Sequence, residues 1–241
     1  MQSSSKFSRE TRAAVVTVQA DVTTLRGMDA QETIVVPSEP LVAVGQVRSP
    51  LLVIVCGLAG SGKSTVSELL ARAMGSAHLD KDDLAPFVEK VGGHLDGWEG
   101  LSDRESETYR HHVRPVEYEV LVNLAMSQLD VGCSVVLDAP LSAELRDRQW
   151  CEELVGRVES LRAGLRILSV TARDEERLSH IESRQAGRDV HKLAHWEEYL
   201  SGVVRGELAI EHETLVNDQG LAELEAVALG LAGQWRAGVG R

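Results

Sequence analysis

Hydrophobic and polar positions along the chain alternate in a way that predicts strands and helices in turn. Leu51 to Cys56 (LLVIVC) is a continuous apolar run, which predicts a central strand buried on both faces. A glycine-rich turn follows, then a helix over about Lys63 to Met74. Ala77 to Leu79 reads as a short second strand ending in the acidic cluster Asp80-Lys81-Asp82-Asp83, with Asp83 placed to cap a helix starting at Leu84. A loop from Gly92 to Gly100 leads into a long helix over about 102–129. Ser134 to Leu137 gives a third strand, closed by Asp138-Ala139-Pro140, and a polar helix runs through about Val155. Leu165 to Val170 predicts a fourth strand. The charged stretch Asp174 to His191 precedes a helix ending near Val204, Leu208 to Val216 holds a fifth strand, and Leu221 to Trp235 a last helix. Strands alternating with helices predict an α/β domain with a mostly parallel sheet.

Residues 1–50 lack this pattern. A serine-rich start, a β-prone patch at Ala14 to Val18, and Pro37 and Pro40 read as a partly disordered extension, so the expected division is an extension over 1–50 and one domain over 51–241. The length of 241 residues agrees, at roughly 150 residues per domain. No apolar stretch is long enough for a membrane span and the first thirty residues lack a signal-type segment, so a soluble, cytoplasmic protein is expected. The net charge of -12 disfavours nucleic acid backbone and favours a small partner. Cys56, Cys133 and Cys151 are widely spaced; Cys56 and Cys133 fall in apolar runs, where a thiol packs as a small hydrophobe.

The strongest chemical signal is Gly57-Leu58-Ala59-Gly60-Ser61-Gly62-Lys63-Ser64-Thr65, which satisfies GxxxxGK[ST] between a buried strand and a helix. Glycines let the backbone wrap a phosphate with its N–H groups, and the helix N-terminus adds a positive end. Gly57, Ala59, Gly60, Ser61, Gly62, Lys63, Ser64 and Thr65 are the expected nucleotide contacts. Lys63 would reach the β and γ phosphates, Ser64 would hold Mg²⁺, and Thr65 would meet the α phosphate.

The neighbouring strand reads Val135-Val136-Leu137-Asp138-Ala139, without the glutamate that hydrolytic ATPases place after the aspartate, and no NKxD guanine signature occurs. Transfer to a bound acceptor remains. Such transfer is mostly positioning and charge neutralisation, so it needs metal support, an acceptor-side carboxylate and mobile arginines. Asp138 suits the metal. Of Asp80, Asp82 and Asp83, Asp82 is the expected base that orients the acceptor hydroxyl and takes its proton. The arginines fall in the segment Arg173 to Arg188, which contains Arg173, Arg177, Arg184 and Arg188 and overlaps a lid expected over about 174–191; Arg177 alone reads more readily as part of a solvated helix face.

GLAGSGKST, LDKDDL, VVLDAP and RQAGRDVHKLAHW together resemble the small P-loop kinases that phosphorylate hydroxyl groups, among them chloramphenicol phosphotransferase, the zeta-toxin kinases, gluconate and shikimate kinases and the polynucleotide kinase domain. The resemblance covers about Leu51 to Trp235. It implies a three-layer α/β/α P-loop fold with a five-stranded parallel sheet in the order 2-3-1-4-5, ATP and Mg²⁺ as cofactors, Asp82 as the catalytic carboxylate, and Arg184 and Arg188 closing on the phosphates. Where related kinases carry a further lid arginine this chain has His180, and the adenine-side loop corresponds to Asn217, Asp218 and Gln219.

Asp80, Trp98 in the glycine-rich loop and His112 are further candidates for acceptor contact. His191 and His195 are spaced for a metal pair but have no third ligand in view, and Trp196 and Tyr199 fit a buried helical stripe. The expected activity is ATP-dependent phosphorylation of a small hydroxylated molecule such as an antibiotic, nucleoside or sugar. The alternatives are a polynucleotide 5′-hydroxyl kinase and a non-catalytic nucleotide-binding regulatory module.

Overall fold

The computed structural model describes residues 49–94, 107–185, 189–202, 206–217 and 220–238, all of which belong to the compact unit Arg48–Arg241. Most of the extension expected over 1–50, together with Trp98, Arg188, Asp218 and Gln219, lies outside the described residues.

The architecture grows from β1 (Leu51–Cys56), whose six side chains are all buried. In a strand, alternate residues face opposite sides, so an unbroken apolar run feeds two cores. Leu52, Ile54 and Cys56 pack with Tyr118, Leu121, Ala125, Leu154 and Val158, and Leu51, Val53 and Val55 pack with Val66, Leu70, Leu224, Ala228 and Trp235. The first set joins the sheet to α3 (Arg114–Asp130) and α4 (Arg148–Ser160); the second joins it to α1 (Lys63–Met74) and α8 (Leu221–Gly238). Each large aliphatic side chain buried this way contributes roughly 1.5–3 kcal/mol.

β2 (Ala77–Asp80), β3 (Val135–Asp138), β4 (Gly164–Thr171) and β5 (Glu213–Val216) complete a sheet of order β2-β3-β1-β4-β5 in which every neighbour is parallel. This is the three-layer fold the sequence implied. The remaining helices are α2 (Ala85–Gly92), α5 (Asp174–Arg184), α6 (Val190–Ala194) and α7 (Trp196–Gly202). Among the described residues no helix is long and apolar enough to cross a membrane.

Several boundaries differ from the periodicity, each for a local reason. The long helix expected from residue 102 is interrupted: a wide turn, Tyr109–Val113, precedes α3, because Pro115 in the first turn of α3 has no N–H to bond back along the helix. The fifth strand spans four residues, since Leu208 and Ile210 pack under the α3–α4 face and the Ala209 N–H donates to the Leu145 carbonyl. Asp83 does not cap a helix. The chain turns immediately after β2 as a tight 3₁₀ turn, Lys81–Leu84, so the capping place falls to Asp80, which accepts from the Asp82 N–H at 2.8 Å. Cys56 and Cys151 are buried, but Cys133 is exposed, because it lies in the exposed connection between the turn at Val131-Gly132 and β3. Burial pushes the Cys56 thiol up to about 11.

Candidate active site

The strand order brings the chemistry together. β1 lies beside β3 and β3 beside β2, so the loop after β1, Asp138 at the end of β3 and Asp80 at the end of β2 share one edge of the sheet, with Asp138 level with both Val55 and Asp80. A cleft of about 580 Å³ opens there, lined among others by Ala59, Lys63, Ser64, Asp80, Asp82 and Asp138. In open α/β sheets the carboxyl ends of the strands are where ligands bind.

The loop takes left-handed conformations at Gly57 (φ +146°), Gly60 (φ +79°) and Gly62 (φ +96°), and its neighbours leave no room for side chains. A Cβ at Gly57 would lie 2.2 Å from the Val170 carbonyl oxygen, one at Gly60 2.4 Å from that of Arg177, and one at Gly62 2.3 Å from Asn217 Nδ2. α1 begins at Lys63 with no side-chain cap at Gly62, so its first N–H groups are left for an anion. Lys63 and Ser64 are half-buried in the cleft, while Thr65 is exposed.

Asp138, only 2% exposed, accepts from Ser67 Oγ at 3.1 Å, and His78 Nε2 stands 3.0 Å from the same hydroxyl. Ser67 Oγ also lies 3.0 Å from the Ser64 carbonyl oxygen, so this one hydroxyl links Asp138, His78 and the first turn of α1. Burial first, and then the negative charge of Asp138, raises the Asp80 carboxyl above its ordinary value. Two converging carboxylates beside the Ser64 hydroxyl form a set of hard oxygen donors whose mutual repulsion a divalent cation would relieve, and this fits Mg²⁺. Asp82 is half-buried in the turn after β2 and faces the same cleft.

Beside Asp82 this wall of the cleft rests on a buried polar triad that the sequence reading did not anticipate. Lys81 Nζ donates to Tyr109 Oη at 2.8 Å and lies 3.0 Å from Glu117 Oε2, while Tyr109 Oη donates to Glu117 at 2.5 Å. Lys81 also stands over the rings of Tyr109 and Tyr118, at 5.6 and 6.0 Å. Burial raises the Tyr118 phenol well above its ordinary range. Arg114 stacks on Tyr118 at 5.4 Å and pairs with Glu144 at 3.3 Å. The one available signal was Glu117 itself, a charge at the four-residue spacing of the buried Val113 and Leu121.

On the opposite wall, Arg184 is held by Asp189 through two parallel bonds, Nε to Oδ2 at 2.6 Å and Nη2 to Oδ1 at 2.7 Å. Both residues line the cleft, as do Lys192 and His195. Arg177 is not on a solvated face: it is 1% exposed. Its Nε donates to the Ala59 carbonyl at 3.0 Å and its Nη1 to Asp174 at 2.6 Å. Trp196 and Tyr199, expected in the core, are half-buried and instead flank this guanidinium at 5.5 and 5.9 Å. His112 is exposed on the wide turn before α3 and is not among the residues lining the cleft. Among the described residues no group of three or more His, Cys, Asp or Glu could hold a metal ion by itself, so any cation there would need the Ser64 hydroxyl and oxygens of a bound ligand as well.

The profile of a family described as AAA domain matches residues 52–205. A shikimate kinase of Paracidovorax citrulli (strain AAC00-1) is 36% identical over 107 residues, which cover 42% of this chain and 54% of that protein. The match thus spans about half the length of that curated relative. Among solved structures, a candidate kinase from Chloroflexus aurantiacus superposes with a TM-score of 0.56 at 21% identity, covering 77% of this chain and 98% of that one. A gluconokinase from Sinorhizobium meliloti 1021 gives 0.49 at 18% identity over 78% of this chain and 94% of its own. Of these two structures, the first supports a shared fold and nothing finer.

Proposed function

The chain belongs to the AAA domain family, and from that premise we propose that it is an ATP- and Mg²⁺-dependent kinase that transfers the γ-phosphate to a hydroxyl group of a small molecule. The observation that carries the reading is the convergence of the phosphate loop, Asp138 and the Asp80–Asp82 turn on one cleft. A relative named for shikimate, a small molecule, supports an acceptor of that size.

Loop N–H groups and Lys63 bind the phosphate tail, with Lys63 stabilising charge on the transferring group. Ser64 and Asp138, with Asp80 beside them, would hold Mg²⁺, which would neutralise phosphate charge when bound. Asp82 orients the acceptor hydroxyl and takes its proton as that oxygen bonds to the γ-phosphorus. The bond from the γ-phosphorus to the β–γ bridging oxygen breaks and ADP leaves. Asp189 grips one edge of the Arg184 guanidinium and turns the other toward the phosphates; Arg188 is proposed to join it.

The test is turnover of Mg-ATP with mixtures of small hydroxylated compounds, read as a product heavier by one phosphoryl group, about 80 Da. Asp82→Ala runs alongside. A product formed by the native chain and lost in the variant is expected; full turnover by the variant would remove Asp82 from its role, and nucleotide binding with no product from any acceptor class would overturn the kinase reading.

A further inference from the structure

Three successive carbonyls of the phosphate loop are each held by a side chain from outside it. Arg177 Nε donates to Ala59 O at 3.0 Å, the His180 ring nitrogen Nδ1 lies 2.8 Å from Gly60 O, and Asn217 Nδ2 donates to Ser61 O at 2.9 Å. A carbonyl can only accept, so His180 Nδ1 carries the proton. Arg177 and His180 sit three residues apart on α5, and Asn217 is the first residue after β5. Arg177 and Asn217 are 1% and 7% exposed, and Arg177 is itself fixed by Asp174, Trp196 and Tyr199.

The carbonyl and the N–H of one planar peptide unit point in opposite directions. Holding the carbonyls of Ala59, Gly60 and Ser61 outward therefore fixes the N–H groups of Gly60, Ser61 and Gly62 on the other side. Ser61 N–H closes the loop on Leu58 O at 3.2 Å, which leaves Gly60 and Gly62 to address a phosphate. Were one of these planes to flip, a carbonyl oxygen would face the anion. The two glycines fit the same account, because the Arg177 backbone and the Asn217 amide occupy the space their side chains would need.

We propose that Arg177, His180 and Asn217 are positioning residues that hold the phosphate loop in its anion-binding shape before nucleotide arrives. The inference rests on the nucleotide reading above but deepens it: Asn217, expected on the adenine side, acts on the phosphates through the backbone it holds.

Inorganic triphosphate separates the two roles, since it carries the phosphates without the base. Arg177 is too deeply buried for a clean truncation, so the full-length chain is compared with Asn217→Ala, His180→Ala and His180→Asn by calorimetry with Mg-ATP and with magnesium triphosphate, and by thermal unfolding without ligand. Asn217→Ala should weaken both ligands by the same factor, about tenfold, the size of one lost hydrogen bond. His180→Ala should weaken both by a few-fold, and His180→Asn, whose amide nitrogen falls near the place of Nδ1, should restore them. Weakening of ATP alone would make Asn217 an adenine contact and overturn the proposal. So would a lowered melting temperature with unchanged affinity, which is the signature of a purely structural role. Native protein that binds neither ligand would overturn the nucleotide reading and this proposal together, whereas native binding with unaffected variants overturns this proposal alone.

Discussion

The two walls of the cleft are built by different means. The phosphate-loop wall is backbone: glycines in left-handed conformations and carbonyls tied by Arg177, His180 and Asn217. The proposed acceptor wall is side chain: Asp80 and Asp82 stand on a tight turn supported by a buried lysine, tyrosine and glutamate drawn from that turn, the wide turn after it and α3. Backbone recognition suits a ligand that never changes, because any phosphate tail looks the same to a ring of N–H groups. A side-chain wall can be rebuilt one residue at a time without disturbing the loop. On the proposed reading, the difference makes phosphate binding and acceptor choice separable.

Mutations can break that separation or sharpen it. The largest effect is expected at Asp82→Asn, which removes the proposed proton acceptor; kcat should fall about 10²- to 10⁴-fold while Mg-ATP affinity, measured by calorimetry, stays put. A matching fall in affinity would mean the two walls are coupled. Glu117→Ala should cost about 3–5 kcal/mol of stability in urea unfolding, because it strands the Lys81 charge in a buried site, and the folded fraction should still bind nucleotide. Lys63→Met is expected to lower kcat about 10²- to 10³-fold and to weaken Mg-ATP, with unfolding of the acceptor wall unchanged.

The smallest effect concerns Asp80 in magnesium-free buffer. Its carboxyl holds its proton to higher pH in the folded chain than in the unfolded one, through burial and the charge of Asp138. Between those two values the folded state carries the extra proton, so raising the pH through that window costs stability that is not regained above it. Asp80→Asn removes the cost. The variant should melt above the native chain at pH 7, and the gap should close as the pH drops below the ordinary carboxyl value of 3.8. A gap that persists in acid would assign the effect to packing.

Legibility in the sequence followed the same division. β1 and the loop were readable because a strand buried on both faces must be apolar throughout and because the loop's glycines answer a backbone requirement; the sheet order came only with the resemblance that the motifs carry. Asp138 and the Asp80–Asp82 turn were readable as polar residues ending apolar strands. The Lys81–Tyr109–Glu117 triad was not, since its members come from three places in the chain and meet only through packing. Arg177 was misread for a related reason: a guanidinium among Asp174, Glu175 and Glu176 looks solvated, and nothing in α5 alone reveals that Ala59, Trp196 and Tyr199 enclose it.

The closeness of Gly60 to α5 reaches beyond this molecule. The general loop pattern tolerates any residue at that place, yet here the main chain of Arg177 claims the space. Gly60 is thus a requirement of this chain's own packing, added to those of the motif. In other sequences of the same architecture, a bulkier residue at the equivalent place should travel with a helix shifted outward, and one letter would then report how tightly that helix is sewn to the glycine-rich loop.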